Sequence, residues 1–177
     1  MSIKVTLKIN QLVLSVFCLA LISGCNNAVD GKVTGGGTIA SASGNGKANF
    51  GFNGDSCSGT VKGKFNFHDK YFLAENGGVK MNGSVTSADL CVTSGTGQAI
   101  NHYCGLCADG YIVNLDYRST NPKIEGEGQA VVCAKDNGQG FKATESDTIW
   151  IRAISGPYAD YYSEGSVQGN IKGHACE

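Results

Sequence analysis

Apolar and polar residues alternate with a period of two along most of this chain. Thr60 to His68 shows it most cleanly. Val61, Gly63, Phe65 and Phe67 fall on one face, and Thr60, Lys62, Lys64, Asn66 and His68 on the other. Successive side chains of a strand point to opposite sides, so this spacing predicts a strand with one dry and one wet face. The alternation recurs in Ala48–Asn53, Val79–Val85, Tyr111–Tyr117, Ile124–Lys135, Thr148–Ile154 and Val167–Gly173. Shorter pieces, Leu90–Val92 and Gln98–Tyr103, flank a turn signal at Ser94-Gly95-Thr96-Gly97. Beyond Cys25 no window of a dozen residues carries a 3.6-residue stripe, and Tyr158–Tyr162 has room for one helical turn at most. About nine or ten short strands at this spacing predict an all-β fold. The form expected is an antiparallel β-sandwich, jelly-roll-like or a partly closed barrel.

The beginning of the chain breaks the pattern. Leu12–Ile22 is an apolar run of 11 residues that follows Lys4 and Lys8, with no acid before Asp30. A bilayer-spanning helix needs about 20 apolar residues. The run fits a secretory signal core of roughly 7–15 instead. It closes on Ile22-Ser23-Gly24-Cys25, which resembles the bacterial lipobox. The resemblance implies cleavage before Cys25, a diacylglyceryl group on its thiol and acylation of the new amine. Each buried CH₂ contributes about 0.8 kcal/mol, and two or more chains anchor stably where one does not. Asn26 follows the cysteine, a pattern that in enteric-type bacteria resembles proteins forwarded to the outer membrane. The expected plan is a lipoprotein signal peptide over 1–24, a lipidated cysteine and short tether over 25–34, and one β domain over 35–177. Membrane contact is expected through the lipid.

Composition sharpens this reading. The chain has 26 glycines and 2 prolines. High Gly with low Pro and many β-branched and aromatic residues argues for turns, bulges and close packing, and against a disordered tract. With Lys4 and Lys8 removed, 12 basic residues face 15 acidic ones, and no basic run exists along the sequence. Nucleic acid therefore has no electrostatic footprint in the sequence and is not expected as a partner. Of 8 cysteines, Cys18 leaves with the signal and Cys25 takes the lipid. The six that remain are Cys57, Cys91, Cys104, Cys107, Cys133 and Cys176. An even count in an exported chain reads as disulfides, and six cysteines allow 15 pairings. One register singles out a pair. A hairpin across Asn121-Pro122 that sets Tyr117 against Ile124 places Cys107 near Cys133.

Several segments together resemble a small secreted all-β domain of the post-COAP type. They are Gly35-Gly36-Gly37-Thr38-Ile39, Gly46 to Phe52, Phe65 to Asp69, Val85 to Cys91 with Gly97 to Ile100, Asp136 to Gly140 with Ser146-Asp147, and Gly169-Asn170-Ile171 with His174. The resemblance implies a β-sandwich in an extracytoplasmic place and brings no catalytic residue. The chain departs from that pattern in its cysteine load and in the insert-like His102-Tyr103-Cys104-Gly105-Leu106-Cys107.

Three groups of residues are candidates for chemistry. Cys104-Gly105-Leu106-Cys107 has three readings. It is a redox dithiol, which needs a thiolate of lowered pKa; a zinc site of His102, Cys104, Cys107 and Cys133; or a pair of structural half-cystines, the preferred reading in an oxidising compartment. Asp136, Asn137 and Asp147 offer hard oxygens for calcium, without EF-hand spacing; a solvated acidic turn is the plainer reading. Trp150, Tyr158, Tyr161 and Tyr162 either cover the core or form an aromatic platform for sugar or protein. No Ser-His-Asp or paired-carboxylate spacing points to catalysis. The function expected is a lipid-anchored envelope module with a binding or structural role and a protein or glycan partner. It is not expected to be an enzyme or to carry a cofactor. The alternatives are a metal or thiol-redox protein centred on Cys104 and Cys107, and a carbohydrate-binding surface module.

Overall fold

The computed structural model describes residues 27–92, 102–138 and 146–176. The lipobox and the expected turn at 94–97 lie outside them. Ten strands form one antiparallel sheet: β1 (Asn27–Asp30), β2 (Lys32–Ala40), β3 (Lys47–Asp55), β4 (Lys62–Asp69), β5 (Val79–Val92), β6 (Tyr111–Ser119), β7 (Glu127–Lys135), β8 (Thr148–Ala153), β9 (Tyr162–Ser166) and β10 (Gln168–His174). From β2 to β9 each strand pairs with its neighbours in the chain, and β10 returns to β2. The sheet is thus an up-and-down barrel, nearly closed, rather than a jelly roll.

Closure rests on strands that change partner. Only Val167 separates β9, which pairs with β8, from β10, which pairs with β2. At the other end Gly31 separates β1, paired with the far half of β5, from β2, paired with β3. Residues 27–30 and 32–34, in the segment expected as a tether, are therefore strands of the barrel. Val29 and Val33 are too widely spaced across Asp30-Gly31 to register as one run. Gly31 joins them because its backbone enters the sheet, donating to the Ala88 carbonyl at 2.9 Å, while Leu90 and Tyr111 fill the space a side chain would need.

The inward positions make the main core. Phe50, Phe67 and Met81 lie in one cross-strand row, and Phe52 and Phe65 in the next, where Gly83 makes room. A Cβ on Gly83 would meet Leu115 at 2.7 Å. Burying each of these large side chains contributes roughly 1.5–3 kcal/mol. At one end of the barrel the fully buried Asp69 is tied to the loops. It accepts from Ser41 Oγ at 2.7 Å, from Tyr161 Oη at 2.8 Å and from the backbone N–H groups of Ala42, Tyr71 and Phe72.

Several local expectations need correction. Val61 is exposed and precedes β4, because the loop at 56–61 extends to it. Tyr103 lies in a short 3-10 helix, His102–Leu106, and not on a strand. Tyr117 stands opposite Gly128, four residues beyond Ile124. The reason is a wider loop: buried Asn121 donates to the carbonyls of Asn76 and Gly78, and Ile124 N–H turns back to Asn121. Cys107 reaches Cys133 all the same. The chain reverses at Cys107–Gly110 before β6 begins, and Cys133 lies opposite Ile112.

Candidate functional site: an aromatic strip over two disulfides

The six cysteines pair as Cys57–Cys176, Cys91–Cys104 and Cys107–Cys133. The two cysteines of Cys104-Gly105-Leu106-Cys107 thus join different partners. Cys104 is tied to β5 and Cys107 to β7, so the short helix between them lies across the outer side of the sheet. Under it sits a second, smaller core of Cys91, Cys104, Cys107, Ile112, Val131 and Cys133. This is why Ala130 to Ala134 of β7 are buried in succession: one face looks into the barrel and the other is roofed by the helix.

The bridges correct the metal and dithiol readings. Cys104, Cys107 and Cys133 have no thiolate to give a zinc ion or a redox partner while they are oxidised. Of His102 only the backbone position in the helix is described. The carboxylates of Asp136 and Asp147 are engaged by backbone N–H groups. Asp147 accepts from Asn137 N at 3.0 Å and from Ile171 N at 2.6 Å. Asp136 accepts from Gly138 N and Gly173 N, both at 3.0 Å, and Asn137 donates to the Ser146 carbonyl. Among the described residues no group of three or more His, Cys, Asp or Glu side chains is placed to hold a metal.

The four aromatic candidates separate. Tyr158 and Tyr161 point inward and are buried. Tyr158 shares a hydrogen bond with Ser119, and the Tyr161 phenol donates to Asp69. Burial, then the Asp69 charge and hydrogen bond, push the Tyr161 phenol far above its ordinary range, so it stays a neutral donor. Trp150 and Tyr162 point outward from β8 and β9. Their ring centroids are 6.5 Å apart, and Tyr103 continues the line 6.2 Å from Trp150. Leu106, 68% exposed, lines a depression of about 470 Å³ with Trp150, Lys135, Thr148, Glu164 and Ser166. Tyr162 donates to the Glu164 carboxylate, and partial burial together with that bond raises its phenol to about 12.

The result is a ridge of aromatic and aliphatic surface with a charged and hydroxylic rim, held from below by two buried disulfides. Rings of this kind give large contact area at low entropic cost. Tyr103 and Leu106 were missed in the sequence because their value depends on the two bridges that bring them beside Trp150. The class defined here is a disulfide-braced antiparallel barrel with an outer aromatic ridge. No family model, no curated protein and no solved structure matches the chain.

Proposed function

We propose that the protein is a lipid-anchored binding module of the bacterial cell envelope, with the ridge of Tyr103, Leu106, Trp150 and Tyr162 as its contact surface. The observation that carries this is the placement of an exposed leucine and an exposed tyrosine around Trp150 on a disulfide-clamped support. Aromatic anchors on a rigid base are the side chains that dominate binding energy at interfaces. Three disulfides fit an oxidising, extracytoplasmic place. Cys25 stands two residues before β1, so acyl chains on it would hold the barrel directly by the end at which Asn27 enters the sheet.

The test uses the full chain in its own membrane. Wild type should fractionate with membranes and show the mass of an acylated Cys25, and Cys25→Ser should lose both. A photo-crosslinking residue at Leu106 should give a discrete adduct, and the same residue at Asp160 should not. The chain has one tryptophan, Trp150, so its emission reports occupancy of the ridge directly. A soluble, unacylated wild type would overturn the anchor. Absence of any adduct specific to position 106 would overturn the contact surface.

A further inference from the structure

The opposite side of the barrel carries a second pattern, independent of the ridge. Two glycines, Gly36 on β2 and Gly51 on β3, stand directly opposite each other. Neither is required by the fold. Both have ordinary negative backbone angles. A Cβ on Gly51 would meet nothing within 4 Å, and one on Gly36 only the Phe50 carbonyl at 3.8 Å. Most other strand glycines are different in kind. Gly35, Gly54, Gly63, Gly83 and Gly128 each have a neighbour closer than 3.0 Å to the missing Cβ. A glycine inside a strand costs stability, about 0.5–1 kcal/mol relative to alanine in a regular element. Glycine that packing does not need marks a place where something approaches the backbone closely.

What surrounds the bare pair gives the ligand its chemistry. The row continues from Gly51 to Asn66 on β4 and Asn82 on β5, with strands about 4.8 Å apart. The next row holds Asn49, His68 and Lys80. Asn49, Asn66 and Asn82 make no side-chain hydrogen bond among the described residues, so three primary amides present donors and acceptors to solvent. Together with Gly51, His68 and Lys80 they line a shallow depression of about 550 Å³.

Charge gives the sign. The outward positions of β10, β2, β3, β4 and the first half of β5 include Lys32, Lys47, Lys62, Lys64, Lys80 and Lys172. Asp55 is the one acid among those positions, and it pairs with Lys32 at 3.1 Å. Lys64 donates to Ser84 and Lys47 to Gln168, contacts that leave their charge uncompensated. A chain with more acids than bases beyond its leader has thus gathered a positive face. No Phe, Tyr or Trp stands on those outward positions, and the only aromatic rings there are the imidazoles of His68 and His174, a sparse platform that disfavours single-stranded nucleic acid. No large apolar side chain stands there to enter a bilayer.

We infer that this face binds an acidic polysaccharide. The sugar rings would lie against the Gly36–Gly51 backbone, their hydroxyls on the Asn49, Asn66 and Asn82 amides and their carboxylates toward the surrounding lysines. Vicinal hydroxyls match an amide, which offers a donor and an acceptor side by side. The lysines supply long-range attraction that salt weakens.

The experiment is affinity electrophoresis of the full chain through gels containing polygalacturonate, with dextran as the uncharged control. Polygalacturonate should retard the protein and dextran should not, and retardation should weaken with added salt. Gly51→Thr is the decisive variant. Its side chain has room, and a β-branched residue suits a strand. The variant should therefore fold with an unchanged or raised Tm yet lose affinity by about tenfold or more. Lys80→Ala should lose several-fold, and Trp150→Ala should bind polygalacturonate like wild type, so failure here and failure of the ridge are separable. No retardation by polygalacturonate, or full affinity in a folded Gly51→Thr, would overturn the inference. Equal retention by duplex DNA or by phosphatidylglycerol vesicles would overturn the choice of a glycan.

Discussion

The Asp147 carboxylate accepts the backbone N–H of Ile171 at 2.6 Å, across the seam where the barrel fails to close by strand pairing. Two residues on, Asp136 accepts the N–H of Gly173 at 3.0 Å. The two acids stand at the two ends of the β7–β8 connection and meet alternate N–H groups of β10. Those groups face away from β2 and have no strand carbonyl to use. Side-chain carboxylates take the place of a missing ladder. The Asp147 backbone carbonyl adds a third contact, accepting Val167 N–H at 2.8 Å where the strand changes partner.

Asp147→Ala should therefore cost about 2–3 kcal/mol, because it strands the buried Ile171 N–H without an acceptor. Urea unfolding monitored at Trp150 checks this. Asp136→Ala should cost less, since Asp136 is only half-buried. The pair should couple in a double-mutant cycle, because both hold the same strand. Equal, small and additive losses would remove the seam argument.

Asp69 predicts the acid limit of stability. Burial alone raises its pKa, but the hydrogen bonds from Ser41, Tyr161 and the Phe72 and Tyr71 N–H groups outweigh burial and hold it below the usual value. Its ionised form is thus favoured more in the folded chain than in the unfolded one. That contribution is complete above the unfolded pKa of about 3.9 and is lost as pH falls through the lower folded value. Asp69→Asn should be destabilised at neutral pH and show a flatter acid limb than wild type below about pH 4. Parallel acid limbs in thermal melts would refute it.

The three disulfides should differ in both worth and access. In the chain-entropy treatment, closing 119 residues through Cys57–Cys176 contributes about 5 kcal/mol, and closing 13 through Cys91–Cys104 about 3. Cys176 is exposed, whereas Cys91, Cys104, Cys107 and Cys133 are buried. Limited reductant followed by alkylation should label Cys57 and Cys176 first, with a fall in Tm and the ridge intact. Peptide mapping that shows Cys104 or Cys107 labelled first would contradict the buried support.

Tyr158 and Trp150 should have opposite phenotypes. The Tyr158 phenol is bound to Ser119 at 2.7 Å and accepts Lys80 N–H at 3.3 Å. Tyr158→Phe should lose about 1–2 kcal/mol and leave ligand contact unchanged. Trp150→Ala should impair the crosslink from Leu106 while the barrel still unfolds cooperatively. Calorimetry alongside the crosslinking assay separates the two.

Alternation along the chain determined the fold class, because period two with one wet face admits a strand and little else. An even count of cysteines likewise pointed to a braced domain. The tertiary structure decided the rest, for reasons that no single segment contains. Tyr161 and Tyr162 are adjacent, and only the packing of Tyr161 against Asp69, Phe67 and Phe72 from distant segments sends it to the core while Tyr162 stays at the surface. Cys104 and Cys107 are close in sequence, and only the positions of β5 and β7 give them different partners. The lysines of the positive face never form a run, since alternation spreads them over five strands, and pairing those strands is what gathers their charge. Period-two pattern is local, whereas which strands lie side by side depends on loop length, bulges and closure, and that neighbourhood sets the chemistry of each face.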